Sequence, residues 1–108
     1  MGPKHPEVFK ARNDLGIFLI DEQRNAEARQ LYAQLHDDAL AVFGADNFNV
    51  AVFDVSYAQA LADTGEPARA LALVEPAIPR LLKMLRPDHP RVLKAQALLE
   101  RLTAGGRS

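Results

Sequence analysis

Cysteine is absent from the 108 residues, and tryptophan with it. The chain therefore has no disulfide framework, no thiolate to ligate a metal and no thiol nucleophile. Two tyrosines and five phenylalanines are its only aromatic side chains, so its core must be mostly aliphatic. No apolar run approaches the roughly 20 residues that span a bilayer. The first residues lack the basic-then-apolar layout of a secretory leader. These absences agree with a cytoplasmic protein. A large charge of either sign is also missing: the net charge is −1, and the 25% charged and 48% hydrophobic content is ordinary for a globular chain. Catalytic signatures are equally scarce, with no Gly-rich phosphate loop, no HExxH and no Ser/His/Asp grouping. His5 and His89 fall in connectors, and His36-Asp37-Asp38 occupies consecutive helical positions that point in different directions. Asp21 and Asp63 fall in turns. The expectation is a protein without catalysis, metal or cofactor.

What the chain does have is repetition. Val8, Val50 and Val92 recur at one constant interval, and so do Leu15, Tyr57 and Leu99. Residues 2–43 and 44–85 share eight identities without a gap, where composition alone gives roughly three. The copy beginning at Arg86 shares seven identities with the first over its leading residues, among them the Pro-x-His-Pro-x-Val pattern. A fixed period of this size marks a stack of structural repeats.

Each copy opens on breakers: Gly-Pro-Lys-His-Pro at 2–6, Gly-Ala-Asp-Asn-Phe at 44–48, Arg-Pro-Asp-His-Pro at 86–90. Pro6 and Pro90 suit a first helical position, where the missing amide hydrogen is no loss. His5, Asn47 and His89 then fall at the cap, where asparagine is a strong residue and histidine a weak one. Val8, Ala11, Leu15, Phe18 and Leu19 follow at three- and four-residue steps, and the second copy repeats this with Val50, Phe53, Tyr57 and Leu61. Polar clusters interrupt at 21–25 and 63–67, with Gly65 as a C-cap and Pro67 as a helix starter. The spacing predicts helices over about 6–21, 25–43, 48–64, 67–85 and 90–103. The fourth is expected to kink or break near 75–79, with a fresh turn from Pro79, because Pro76 and Pro79 each remove an amide donor at about 3 kcal/mol for an interior proline. Leu15, Leu31, Tyr57, Leu61, Leu73 and Leu99 are expected in the core.

Helix pairs with a small residue deep in the first helix, then Ala, an aromatic and Ala or Leu along the second, resemble tetratricopeptide repeats. The matching residues are Leu15-Gly16, Leu19, Ala28, Tyr32 and Leu35, then Tyr57-Ala58, Leu61, Gly65, Ala70, Val74 and Ala77. Ordinary tetratricopeptide repeats run to about 34 residues. The longer period here, with its connector, is similar to the kinesin-light-chain type, common also in bacterial regulatory proteins. The resemblance implies an all-α, right-handed α-solenoid of two and a half helix-turn-helix repeats, five helices in one domain over 1–108. Its repeats would be 2–43 and 44–85, with a half repeat at 86–106. It also implies a scaffold that binds a protein or peptide segment, as one part of a larger bacterial regulatory or scaffold protein.

By the same resemblance the first helix of each pair lines a concave face that holds the peptide. The lining would be Lys10, Asn13, Asp14, Ile17 and Ile20 from the first copy. The second would add Val52, Val55, Ser56, Gln59 and Asp63, and the third Lys94, Ala97 and Arg101. Asn13 and Arg101 are expected to face solvent there, Asn13 bonding a ligand backbone and Lys94 and Arg101 meeting acidic groups. Charge distribution bears on the partner. Residues 1–79 carry six Lys/Arg and twelve Asp/Glu, a balance of −6; residues 80–108 carry seven and two, a balance of +5. The basic block fits an acidic partner, and without interleaved aromatics it is a poor nucleic-acid surface. A second reading is self-assembly: an incomplete repeat exposes an apolar end, and the two oppositely charged segments attract head to tail.

Overall fold

The computed structural model describes residues 6–105, so the expectation for His5 lies outside the described residues. Its elements are five helices: α1 (Pro6–Asp21), α2 (Asn25–Phe43), α3 (Phe48–Asp63), α4 (Pro67–Leu82) and α5 (Pro90–Gly105). No β-strand occurs among the described residues. Each helix packs on the next in sequence, and α1 and α5 also touch α3. Short connectors turn each helix back beside its predecessor. The result is an all-α array of stacked helix pairs.

The turns carry out what their residues allow. After α3, the Glu66 amide donates to the Leu61 carbonyl at 2.8 Å and the Gly65 amide to Ala62 at 3.3 Å, with Gly65 at φ +85°. That is a Schellman closure, which needs a left-handed residue. The same closure ends α1, from Arg24 to Leu19 at 2.8 Å and from Gln23 to Ile20 at 2.9 Å. There the left-handed position is held by Gln23 at φ 59°, a conformation that costs a residue with a β-carbon. Asn47 caps α3 by accepting from the Asn49 amide at 2.8 Å, as its residue type predicts. His89 does the same for α5 through Nδ1, accepting from the Arg91 amide at 3.0 Å, so the weak capping residue still caps.

The core centres on α3, whose residues from Val50 to Ala58 are all buried. A helix buried on nearly every side and mostly apolar suits a central position between neighbours. In the first pair, Gly16 lets α1 and α2 approach closely: a β-carbon there would lie 2.5 Å from ring carbons of the fully buried Tyr32. Tyr57 and Leu61 are buried, while Leu31, Leu73 and Leu99 are only partly so. Leu15 departs from expectation and is 51% exposed. Its equivalent on α3, Tyr57, packs toward α2, and no described helix covers that face of α1.

Of the expected kink or break in α4, the break does not occur. The helix runs unbroken through Pro76 and Pro79 and ends at Leu82, short of the expected Leu85. The reason is the placement of the prolines. They deprive the carbonyls of Ala72 and Glu75 of their donors, and all four of these residues are exposed on one side of the helix. Water can satisfy those carbonyls, while Ala70, Val74, Ala77 and Leu81 stay buried on the opposite side.

Candidate functional site

Helices α1, α3 and α5 present one shared surface, and two clefts lie along it. The larger, of about 290 Å³, is lined by Lys10 and Asn13 of α1, Val52 and Phe53 of α3, Arg91 of α5, and Phe43 and Phe48 from either side of the α2–α3 connector. Phe9 forms its inner wall, with its ring 5.1 Å from Phe43 edge-on and 6.3 Å from Phe53 in a stack. Glu7 and Asn49 complete the rim. The smaller, of about 50 Å³, adjoins at Val52 and adds Ile17, Val55, Ser56, Leu81, Arg91 and Lys94. Lys10, Arg91 and Lys94 are exposed and make no ion pair among the described residues.

The surface therefore brings together Lys10, Asn13, Ile17, Val52, Val55, Ser56 and Lys94 of the expected lining. The others lie elsewhere. Ile20 packs on the core, and Asp14 and Ala97 are exposed without lining either cleft. Gln59 donates through Nε2 to both carboxylate oxygens of Asp63, at 3.1 and 3.0 Å, and Arg101 donates to the same carboxylate at 3.1 Å. Arg101 thus has a partner from α3 and is not a free cation awaiting a ligand.

Asn13 also corrects the expectation of a solvent-facing side chain, being only 4% exposed. The Tyr32 hydroxyl donates to its Oδ1 at 2.6 Å and lies 3.0 Å from its backbone carbonyl. A residue on the first helix must point between α1 and α2 to reach Tyr32, and only the close approach at Gly16 brings the phenol that far. Burial pushes the Tyr32 phenol up to about 12, with the nearby Asp14 charge adding to the rise and a hydrogen bond to Ser56 opposing it. Asn13, Tyr32 and Ser56 form a buried polar layer that reaches the clefts at Asn13 and Ser56.

The phenylalanine wall and a second polar contact escaped the sequence reading. Four of the five phenylalanines converge on the larger cleft, although Phe9, Phe43, Phe48 and Phe53 are scattered along the chain. On the opposite side of α3, Asp54 is 4% exposed, and its Oδ1 lies 2.6 Å from Nδ1 of His36 on α2. Burial pushes the Asp54 carboxyl above the usual carboxylate range, against the pull of His36 and Arg80. His36 is half-buried in this contact. The available signal was a lone carboxylate in the apolar run from Val50 to Leu61. A buried charge in such a run requires a partner.

No curated protein matches the chain. Residues 8–49 match the family model of the tetratricopeptide repeat. The matched span has the same length as the interval between the internal copies, and runs from α1 into the first turn of α3. Repeats of this kind serve as protein-interaction scaffolds, and among the described residues no helix is long and apolar enough to cross a membrane. The chain is an all-α helical solenoid whose residues 8–49 are similar to a tetratricopeptide repeat.

Proposed function

We propose that this scaffold binds a peptide segment along the α1/α3/α5 surface, with apolar ligand side chains in the clefts and ligand carboxylates at Lys10, Arg91 and Lys94. The observation that supports it is the pairing of an apolar floor, Val52, Val55 and the phenylalanine wall, with exposed cations that have no ion-pair partner among the described residues. An extended or helical peptide needs both: pockets for alternate side chains and polar groups that fix its register. Asn13 would contribute its amide nitrogen at most, because its oxygen already accepts from Tyr32.

Peptides selected from a displayed random library on the intact protein provide the probe. They should be enriched in Asp and Glu, shift backbone amide resonances of α1, α3 and α5, and bind at least tenfold more weakly to Lys10→Glu/Lys94→Glu. Rim charges act mainly on the association rate, so that loss should shrink at high salt. Lys83→Glu, outside the clefts, is the control. Selected peptides that ignore the double reversal and shift only α2 and α4 would move the binding surface to the other side of the molecule.

A further inference from the structure

We infer that Tyr32, which lines neither cleft, is a positioning residue of the peptide site: it holds the Asn13 amide so that the nitrogen, and not the oxygen, meets a bound peptide. This role presupposes peptide binding at the α1/α3/α5 surface, as proposed above, and names the group the peptide presents there, a backbone carbonyl. Asn13 is only 4% exposed and lines the larger cleft. The two ends of its amide are alike in size and opposite in chemistry, one an acceptor and one a donor. Tyr32 decides which end faces out. Its hydroxyl lies 2.6 Å from the inner end of the amide, a separation that suits O–H···O and is too short for N–H···O. Oδ1 therefore turns inward to the phenol. Nδ2 is left toward the cleft, with no hydrogen-bond partner among the described residues. It is not one of the enclosed atoms that lack a partner, so it opens onto the cleft.

The rest of the polar layer fixes a direction. The single phenol hydrogen is committed to Asn13, so Ser56, which shares a hydrogen bond with the same phenol oxygen, is the donor in that bond. Ser56 then meets the smaller cleft with lone pairs only. One buried chain of hydrogen bonds thus presents a donor at Asn13 and an acceptor at Ser56, the complement of a peptide backbone's C=O and N–H. In the second repeat the positions equivalent to Asn13 and Tyr32 hold Val55 and Val74, so amide and phenol are lost together. The contact is neutral, and salt distinguishes it from the cations at the rim.

A double-mutant cycle in binding tests the inference, with a library peptide selected on the wild-type protein as the probe. Tyr32→Phe keeps the ring in the core and removes only the oxygen, which frees Oδ1 to turn outward. It should weaken the peptide at least threefold and Asn13→Ala at least tenfold, each loss being equal at low and high salt. Added to Asn13→Ala, Tyr32→Phe should change the affinity no further, because the amide it orients is gone. Circular dichroism checks that each variant is folded. The wild-type protein gives an answer that needs no variant: the Asn13 side-chain NH2 signals should shift on saturation, with Overhauser effects to the peptide stronger than those to the Tyr32 ring. A Tyr32→Phe loss of the same size in both backgrounds makes Tyr32 merely structural and overturns the inference. So does a Tyr32→Phe or Asn13→Ala protein that binds as the wild type does, or NH2 hydrogens that lie against the phenol. Each of these leaves peptide binding standing; a library that yields no binder overturns peptide binding and the role of Tyr32 together.

Discussion

Replacing Gly16 with alanine sets two rules against each other. Helix propensity alone favours alanine by about 0.8–1 kcal/mol at an interior position. The packing opposes it. The new methyl would stand 2.5 Å from Cε2 and Cζ of Tyr32 and 2.6 Å from its hydroxyl. Tyr32 is fully buried, and its hydroxyl is held at 2.6 Å by Asn13, so it cannot swing aside freely. Forcing a methyl into a filled core costs about 1–3 kcal/mol. Displacing the phenol leaves a buried acceptor unpaired, at about 1–3 kcal/mol more. Packing wins, and Gly16→Ala should destabilise the protein by about 3 kcal/mol. In a chain this size that lowers the melting temperature by roughly 10–20 °C, read by circular dichroism. The second helix pair supplies the control, since the positions equivalent to Gly16 and Tyr32 hold Ala58 and Val74, both fully buried. In a Tyr32→Val background, Gly16→Ala should therefore be neutral or stabilising, a coupling of about 3 kcal/mol in a double-mutant cycle. A Gly16→Ala protein that melts at or above the wild type would refute the close approach of α1 and α2 and leave propensity in charge.

Gln23→Gly should raise stability by up to about 1 kcal/mol in urea unfolding, because relief of the left-handed strain exceeds the extra chain entropy of glycine; a loss of stability would contradict the αL assignment. The raised pKa of Tyr32 fixes a sign: the folded state holds the phenolic proton more tightly than the unfolded chain, so stability is full below about pH 10 and falls as pH rises toward about 12. Tyr32→Phe should be less sensitive over that window by roughly 2–3 kcal/mol, and absorbance at 295 nm of the Tyr57→Phe protein should show its remaining phenol titrating near 12. His36→Ala should cost about 3 kcal/mol at neutral pH by stranding the Asp54 carboxylate. Because burial raises the Asp54 pKa, this cost should shrink as pH falls and the carboxyl takes up its proton; equal costs at pH 7 and pH 4 would show that the pair does not carry a buried charge.

Helix positions, turns and repeat class were legible in the sequence because they depend on local chemistry that recurs with every repeat. Pro90, Asn47 and Gly65 act through the backbone next to them, and apolar spacing of three and four gives a helix wherever it stands. Even the exposure of Pro76 and Pro79 was latent there, since both fall on the polar side of their helix, but the continuity of α4 depends on that side meeting water. Burial belongs to the tertiary structure. Leu15 and Tyr57 are equivalent in sequence, yet one is half exposed and the other buried, because among the described residues α3 has α2 packed in front of it and α1 has no such helix. Asn13 reads as a groove residue until Gly16 admits Tyr32 to its oxygen, and Arg101 reads as a free cation until α5 sets it beside Asp63. The larger cleft is the extreme case. Its phenylalanines are as far apart as Phe9 and Phe53, and no periodicity within one helix relates them. Only the stacking of α1, α2 and α3 brings them to one wall, since contacts between helices depend on crossing geometry that side-chain spacing along a single helix does not encode.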